Sequence, residues 1–183
     1  EQSAIKCRTY KKARKYGIDI SAFGSESATI FEYGGRQIIF YDDSKPMAHV
    51  KYSILHELGH PLNNHDFSVT DKEIYGRYEV ETNYFAAQLL MPKQVLREFT
   101  NRGIRITKEF LMQHFEVSET AAKKRIETLA KTTVEWRSRQ EKEFDDIILF
   151  KFAAFIDSIC PPRKNYFDFE DEYDRQRERD SWY

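Results

Sequence analysis

The sequence predicts an α+β fold in which a small antiparallel sheet lies beside a pair of helices and is followed by a further helical region. Three observations lead there. First, two runs of β-branched and aromatic residues, 28–33 and 36–41, are separated only by Gly34-Gly35. A Gly-Gly loop supplies the positive φ that a type I′ hairpin turn needs at both positions. Second, residues 46–60 and 70–91 carry apolar side chains at helical spacing, and a proline follows each stretch. Third, beyond residue 101 the apolar spacing is helical and no strand pattern recurs. At 183 residues the chain has length for one domain of ordinary size with a small appendage. The expected division is a core over residues 1–100 and a helical region over 101–183.

Residues 1–16 place Lys6, Arg8, Lys11, Lys12, Arg14 and Lys15 among Ala4, Ile5, Cys7, Tyr10 and Ala13. This pattern suits an amphipathic helix that ends before Gly17, with its basic face in solvent. After the hairpin, residues 42–46 (Asp-Asp-Ser-Lys-Pro) offer capping side chains and a proline tolerated in a first turn. The helix that follows carries Val50, Ile54 and Leu58 on a core stripe, and His49, Ser53, His56 and His60 on another. Pro61 removes the bond to the Glu57 carbonyl, so this helix should end or kink just past His60. Asn63, Asn64, His65 and Asp66 form a polar turn. Thr70 and Glu73 then read as a capping box for the second helix. Its core stripe is Tyr78, Thr82, Phe85 and Leu89, and Pro92 stops it.

Further on, residues 107–115 and 119–130 read as two helices joined at Val117-Ser118, with Ser118 as cap. A long helix is expected over 134–158, closed by Cys160-Pro161-Pro162. The tail from residue 165 mixes aromatic and charged side chains, and is expected to form a last helix, dock on the body or contact a partner.

The formal net charge is −1 and the mean hydropathy −0.70, so nothing draws the whole chain toward nucleic acid or membrane. Its most apolar stretch, residues 147–156, contains Lys151 and is too short to span a bilayer. No signal-peptide pattern lies in residues 1–16. A soluble cytoplasmic protein is expected, with Cys7 and Cys160 as free thiols.

The chemistry concentrates in His56-Glu57-Leu58-Gly59-His60. Residues four apart share a helix face, so His56 and His60 can point at one metal ion. Glu57 projects beside them as a general base toward water. His49 lies two turns from His56, roughly 10 Å away, too far to join them, and reads as a surface histidine. A third histidine of the metzincin kind would need Gly at 63 and His at 66; Asn63 and Asp66 stand there instead. The third ligand should therefore be a carboxylate from the second helix. Glu79, nineteen positions beyond His60, is favoured, and Glu81 is the second candidate. Asn83, one turn after Glu79, could hydrogen-bond a ligand histidine. His65, Tyr78, Tyr84 and His114 are candidate donors to the tetrahedral oxyanion.

Taken together, HELGH over residues 56–60 and the stretch 79–92, Glu-Val-Glu-Thr-Asn-Tyr-Phe-Ala-Ala-Gln-Leu-Leu-Met-Pro, resemble the ImmA/IrrE family of bacterial metallopeptidases. Its second motif has a glutamate separated by two residues from Ala-Asn, then Phe-Ala and a Leu-Leu-Met-Pro ending. The family's glutamate falls on Glu79, and Thr82 replaces its usual Ala. The resemblance covers roughly residues 25–160 and rests on two separated motifs that agree. It implies a zincin-like core and a cytoplasmic endopeptidase using zinc, with manganese as a second possibility. Its substrate would be a helix-turn-helix repressor, often encoded beside it on a mobile element or prophage. By analogy with zinc-protease architecture, the hairpin strand before the metal helix could hold substrate by strand addition.

Two rival readings exist. One is a DNA-binding regulator whose zinc site is structural or vestigial; the other is a protein that sequesters a repressor without cutting it. The helix-turn-helix-like unit carries Lys123, Lys124, Arg125 and Lys131, but Glu119 and Glu127 dilute that face. Packing against the core is favoured over DNA binding.

Overall fold

The computed structural model describes residues 5–19, 21, 27–131, 136–161 and 177. It is α+β, with a three-stranded mixed sheet and helices that carry most of the mass. Strand β1 (Lys6–Thr9) leads into a short helix α1 (Tyr10–Ala13), then come β2 (Ala28–Tyr33) and β3 (Arg36–Tyr41). The strand order is β1-β3-β2. Strands β2 and β3 form the expected antiparallel hairpin, with Ile30 opposite Ile39 and Tyr33 opposite Arg36. Its turn is Gly34-Gly35 at φ 58° and 70°, where a side chain would be strained.

Two expectations are corrected here. Residues 6–9 are a strand, where the basic amphipathic pattern predicts helix, and this makes the sheet mixed. Strand β1 pairs in parallel with β3, Lys6 opposite Ile38 and Thr9 opposite Tyr41. The β3 edge offers backbone partners to a segment only four residues long, and that tertiary pairing outweighs local helix preference. Helix begins only at Tyr10, where Tyr10 and Ala13 turn onto Ile38 and Phe40 of β3.

Helix α2 (Met47–Leu62) crosses the sheet and packs chiefly on α3 (Lys72–Leu90). Pro46 occupies the N-cap position of α2 with no side-chain cap, while Asp42 spends its carboxylate on the Ser44 N–H and hydroxyl. Pro61 sits in the last turn, and the helix ends one residue later, as the missing N–H predicts. The cap of α3 is Asp71 rather than Thr70: its carboxylate accepts from the N–H groups of Glu73 and Ile74 at 2.8 and 3.2 Å. A carboxylate at a helix N-terminus also meets the positive end of the dipole, which favours it over the neighbouring threonine.

The remaining helices are α4 (Lys93–Asn101), α5 (Lys108–Phe115), α6 (Glu119–Lys131) and α7 (Arg139–Ile159). Helix α4 joins two apolar clusters. Leu96 packs with Met91, Leu111, Val117 and Ala122, while Val95 and Phe99 pack with Ile156. Helix α7 starts later than residue 134. Ser138 caps it, and Ser138 with Glu141 forms a reciprocal capping box that defines the start. Residues 134–135 and all of the tail from 165 except Arg177 lie outside the described residues.

Two arginines tie these helices together through carbonyls at helix C-termini, where a cation meets the negative end of the dipole. Arg102 reaches Asp157 at 2.6 Å and the Cys160 carbonyl at 2.8 Å, closing α4 onto the end of α7. Arg125 of α6 is buried and donates to the Met91 carbonyl at 2.6 Å and to Gln88 Oε1. Gln88 is linked in turn to Gln94, and Gln94 to Asp145 of α7. Truncating Arg125 would orphan the buried Met91 carbonyl and the half-buried Gln88 Oε1 and open a cavity. Arg125→Ala is therefore expected to lower the unfolding free energy by about 3 kcal/mol. Urea denaturation measures this, and a loss under about 1 kcal/mol would contradict the clamp.

This placement also corrects the sequence reading of Arg125, whose charge is spent inside the protein and does not add to a basic surface. Lys108 and Lys123 both bind Glu119, at 2.7 and 2.9 Å, and their hydrogen bonds hold its carboxyl down to about 2. Cys7 and Cys160 are free thiols. Among the described residues, no helix is long and apolar enough to cross a membrane.

Candidate metal centre

Helices α2 and α3 meet at Gly59. A Cβ there would lie 3.1 Å from Phe85 Cδ1, 3.1 Å from Thr82 Cγ2 and 3.2 Å from Thr82 Cα. The last of these is backbone, so it yields only if α3 itself moves. This contact brings the histidine face of α2 against the Glu79 face of α3. Alanine would gain roughly 1 kcal/mol of helix propensity over glycine, and overpacking typically costs about 1–3 kcal/mol. Gly59→Ala is expected to lose about 1 kcal/mol net and to weaken metal binding by spreading the side chains on the two facing helices. Denaturation with and without zinc checks both; a more stable variant with unchanged zinc affinity would refute the fit.

Across that contact the Glu79 carboxylate lies between the two rings. His56 Nε2 is 3.3 Å from Glu79 Oε2, and His60 Nε2 is 3.7 Å from Glu79 Oε1. A tetrahedral ion holding its donors at 2.0–2.1 Å sets neighbouring donors about 3.3 Å apart. These separations therefore suit a small cation such as zinc. The two separations run to different oxygens of Glu79, and with one donor atom per residue the set within 4.8 Å of one another is His56, Glu57 and His60, without Glu79, so on distance alone Glu57 is the better third donor. Their surroundings separate the two carboxylates. Glu57 Oε2 accepts the Ile30 N–H of β2 at 3.1 Å, whereas each oxygen of Glu79 faces a ring nitrogen.

His60 is buried. Burial first, then the neighbouring His56, pushes its pKa below the usual imidazole value against the opposite pull of Glu79. This favours the neutral ring, which is the form that ligates a metal. The site lies in an open cleft of about 570 Å³, bounded on one side by Ala28, Thr29 and Ile30 of β2 and on another by Phe67, Tyr75 and Tyr78.

The other candidates divide. Tyr78 lines the cleft and stacks on His65 with centroids 4.0 Å apart and planes 7° from parallel. His65 touches the cleft, but both its ring nitrogens are engaged, Nδ1 with His60 Nδ1 at 3.1 Å and Nε2 with Glu81 at 2.8 Å. Its place is therefore behind His60, contrary to a role as oxyanion donor. Tyr84 and His114 are not among the cleft-lining residues; His114 packs on Phe110 instead. Asn83 accepts from Tyr52 Oη at 3.0 Å and donates to the Glu79 carbonyl at 2.6 Å. It thus braces α2 against α3 where a bond to a ligand histidine was expected. His49 is exposed and bonds Ser27 at 2.7 Å.

Two contributors escaped the sequence reading. Tyr52 stands one turn before His56, and that spacing could have flagged it. The Ile30 N–H, which holds Glu57, has no side-chain signal.

No curated protein matches the chain. The profile of the IrrE N-terminal-like domain, Peptidase_M78, matches residues 13–127 and spans the β2–β3 hairpin, the metal centre and most of α6. The chain therefore belongs to the ImmA/IrrE family of metallopeptidases, as the paired motifs on α2 and α3 already indicated.

Proposed function

We propose that this protein is a zinc-dependent endopeptidase of the HExxH-plus-glutamate type, built on a zincin-like core, that cleaves a helix-turn-helix repressor in the cytoplasm. The observation that carries the reading is the Glu79 carboxylate set between His56 Nε2 and His60 Nε2, with Glu57 beside them in an open cleft. His56, His60 and Glu79 would hold the zinc. When bound, the ion supplies a Lewis acid that polarises the scissile carbonyl and acidifies the attacking water. Glu57 takes up the proton of that water on its carboxylate and delivers it to the departing amide nitrogen. The Ile30 N–H fixes the carboxylate for both transfers.

Tyr78 is the donor candidate best placed for the oxyanion, its ring held by the stack on His65. Strand β2 offers extended backbone beside the base, suited to a peptide bound by strand addition. The machinery would belong to a core over residues 1–100, with 101–183 as the helical region, whose described helices are α5, α6 and α7. Buried Arg125 and the Glu119 ion pairs leave little of the α5–α6 unit's charge for DNA, which favours the peptidase over the DNA-binding rival.

Incubation with a helix-turn-helix repressor encoded beside the gene tests the reading. The expected result is zinc-dependent cleavage, lost with chelator and restored by zinc. An intact repressor that nonetheless loses operator binding would establish sequestration in its place.

A further inference from the structure

The turn after α2 returns His65 onto the back of the metal centre. Pro61 ends the helix, Asn64 takes φ 56°, and the His65 N–H bonds the His60 carbonyl at 3.0 Å. The His65 side chain is 2% exposed, whereas that of Glu81 is 57% exposed. Between them they make a chain of two short contacts, Glu81 Oε2 to His65 Nε2 at 2.8 Å and His65 Nδ1 to His60 Nδ1 at 3.1 Å.

For a neutral His65, donor and acceptor counting fixes where the protons sit. A carboxylate only accepts, so His65 Nε2 must carry a hydrogen. In a neutral ring the other nitrogen is then an acceptor, so His65 Nδ1 requires a donor. The atom facing it is His60 Nδ1, which must supply that hydrogen. On the far side of the ring, His60 Nε2 is 3.7 Å from Glu79, beyond a hydrogen bond.

We infer that Glu81 and His65 form a positioning relay, which holds His60 as the Nδ1–H tautomer and so turns its Nε2 lone pair toward the metal before any metal binds. The inference rests on the metal-centre reading above. Glu81, the second candidate for ligand, acts through His65 instead and touches neither metal nor substrate. Tyr78, stacked on the His65 ring, keeps that ring in the plane the relay needs. The general rule that outer partners fix the tautomer of a ligand histidine thus extends here through a second imidazole.

The test uses the metal-free protein labelled with ¹⁵N histidine. Long-range ¹H–¹⁵N spectra are expected to show His60 with a protonated Nδ1 and a bare Nε2. In Glu81→Gln, which keeps the shape and removes the charge, the His60 signals should shift toward a mixture of tautomers. Zinc affinity by chelator competition should fall about 10–100-fold in the same variant. Glu73→Gln, a charge loss in the first turn of the same helix, should change neither. A His60 ring protonated at Nε2 in the wild type would overturn the relay. So would a Glu81→Gln protein with wild-type tautomer and zinc affinity within twofold. If added zinc leaves the His56 and His60 signals of the wild type unmoved, the metal-centre reading itself falls, a result distinct from failure of the relay alone.

Discussion

Replacing Glu57 with glutamine is expected to cut peptide hydrolysis by about 10²–10⁴-fold while zinc remains bound. The amide fills the same space and its oxygen still accepts the Ile30 N–H, but it cannot take a proton from water. The three proposed ligands are untouched, so metal content should stay at one ion per chain. Initial rates on a peptide spanning the repressor cleavage site, read beside metal analysis of the same sample, separate the two effects. A variant that has lost both zinc and activity would mean that Glu57 is itself a ligand, as the 4.8 Å cluster with His56 and His60 permits.

Glu79→Ala should do the opposite and remove the metal. Two histidines alone make a poor zinc site, and the loss of the one anionic ligand also leaves the ion's charge uncompensated. Affinity is expected to fall by more than about 100-fold, beyond the 10–100-fold typical of outer-shell partners. Zinc also reports on stability, because a ligand present at 100 times its Kd stabilises the native state by about 2.7 kcal/mol. In a chain of this size that is roughly a 5–10 °C rise in Tm, expected for the wild type and absent from Glu79→Ala. An equal zinc-induced rise in both proteins would remove Glu79 from the coordination sphere.

What could be read in the sequence was whatever short-range chemistry fixes. Gly34-Gly35 determined the hairpin because only positive φ closes a two-residue loop of that kind. The α2 and α3 spacings put His56, His60 and Glu79 on faces that could meet, and the helices do bring them within 3.3–3.7 Å. Long-range pairing was hidden. Residues 6–9 become a strand only because β3, some thirty residues later, accepts them; the alternation Lys6-Cys7-Arg8-Thr9 is too short to mark a strand within the basic run of residues 6–15, and it carries no trace of that partner. Helix α4 went unread although its nine residues are clearly amphipathic at helical spacing: Val95, Leu96 and Phe99 fall on one face and form the seam between two clusters. The link from Glu81 to His60 depends on how residues 61–65 reverse direction, and no spacing rule encodes the path of a turn. Arg125 looked like surface charge for the same reason: the carbonyl it caps belongs to another helix.

The most direct test of the account is anomalous diffraction at the zinc edge from crystals of the zinc-loaded protein. The prediction is a single peak within about 2.0–2.2 Å of His56 Nε2, His60 Nε2 and one Glu79 oxygen, with the Glu57 carboxylate outside bonding distance. A peak bonded to Glu57 with Glu79 turned away would contradict it.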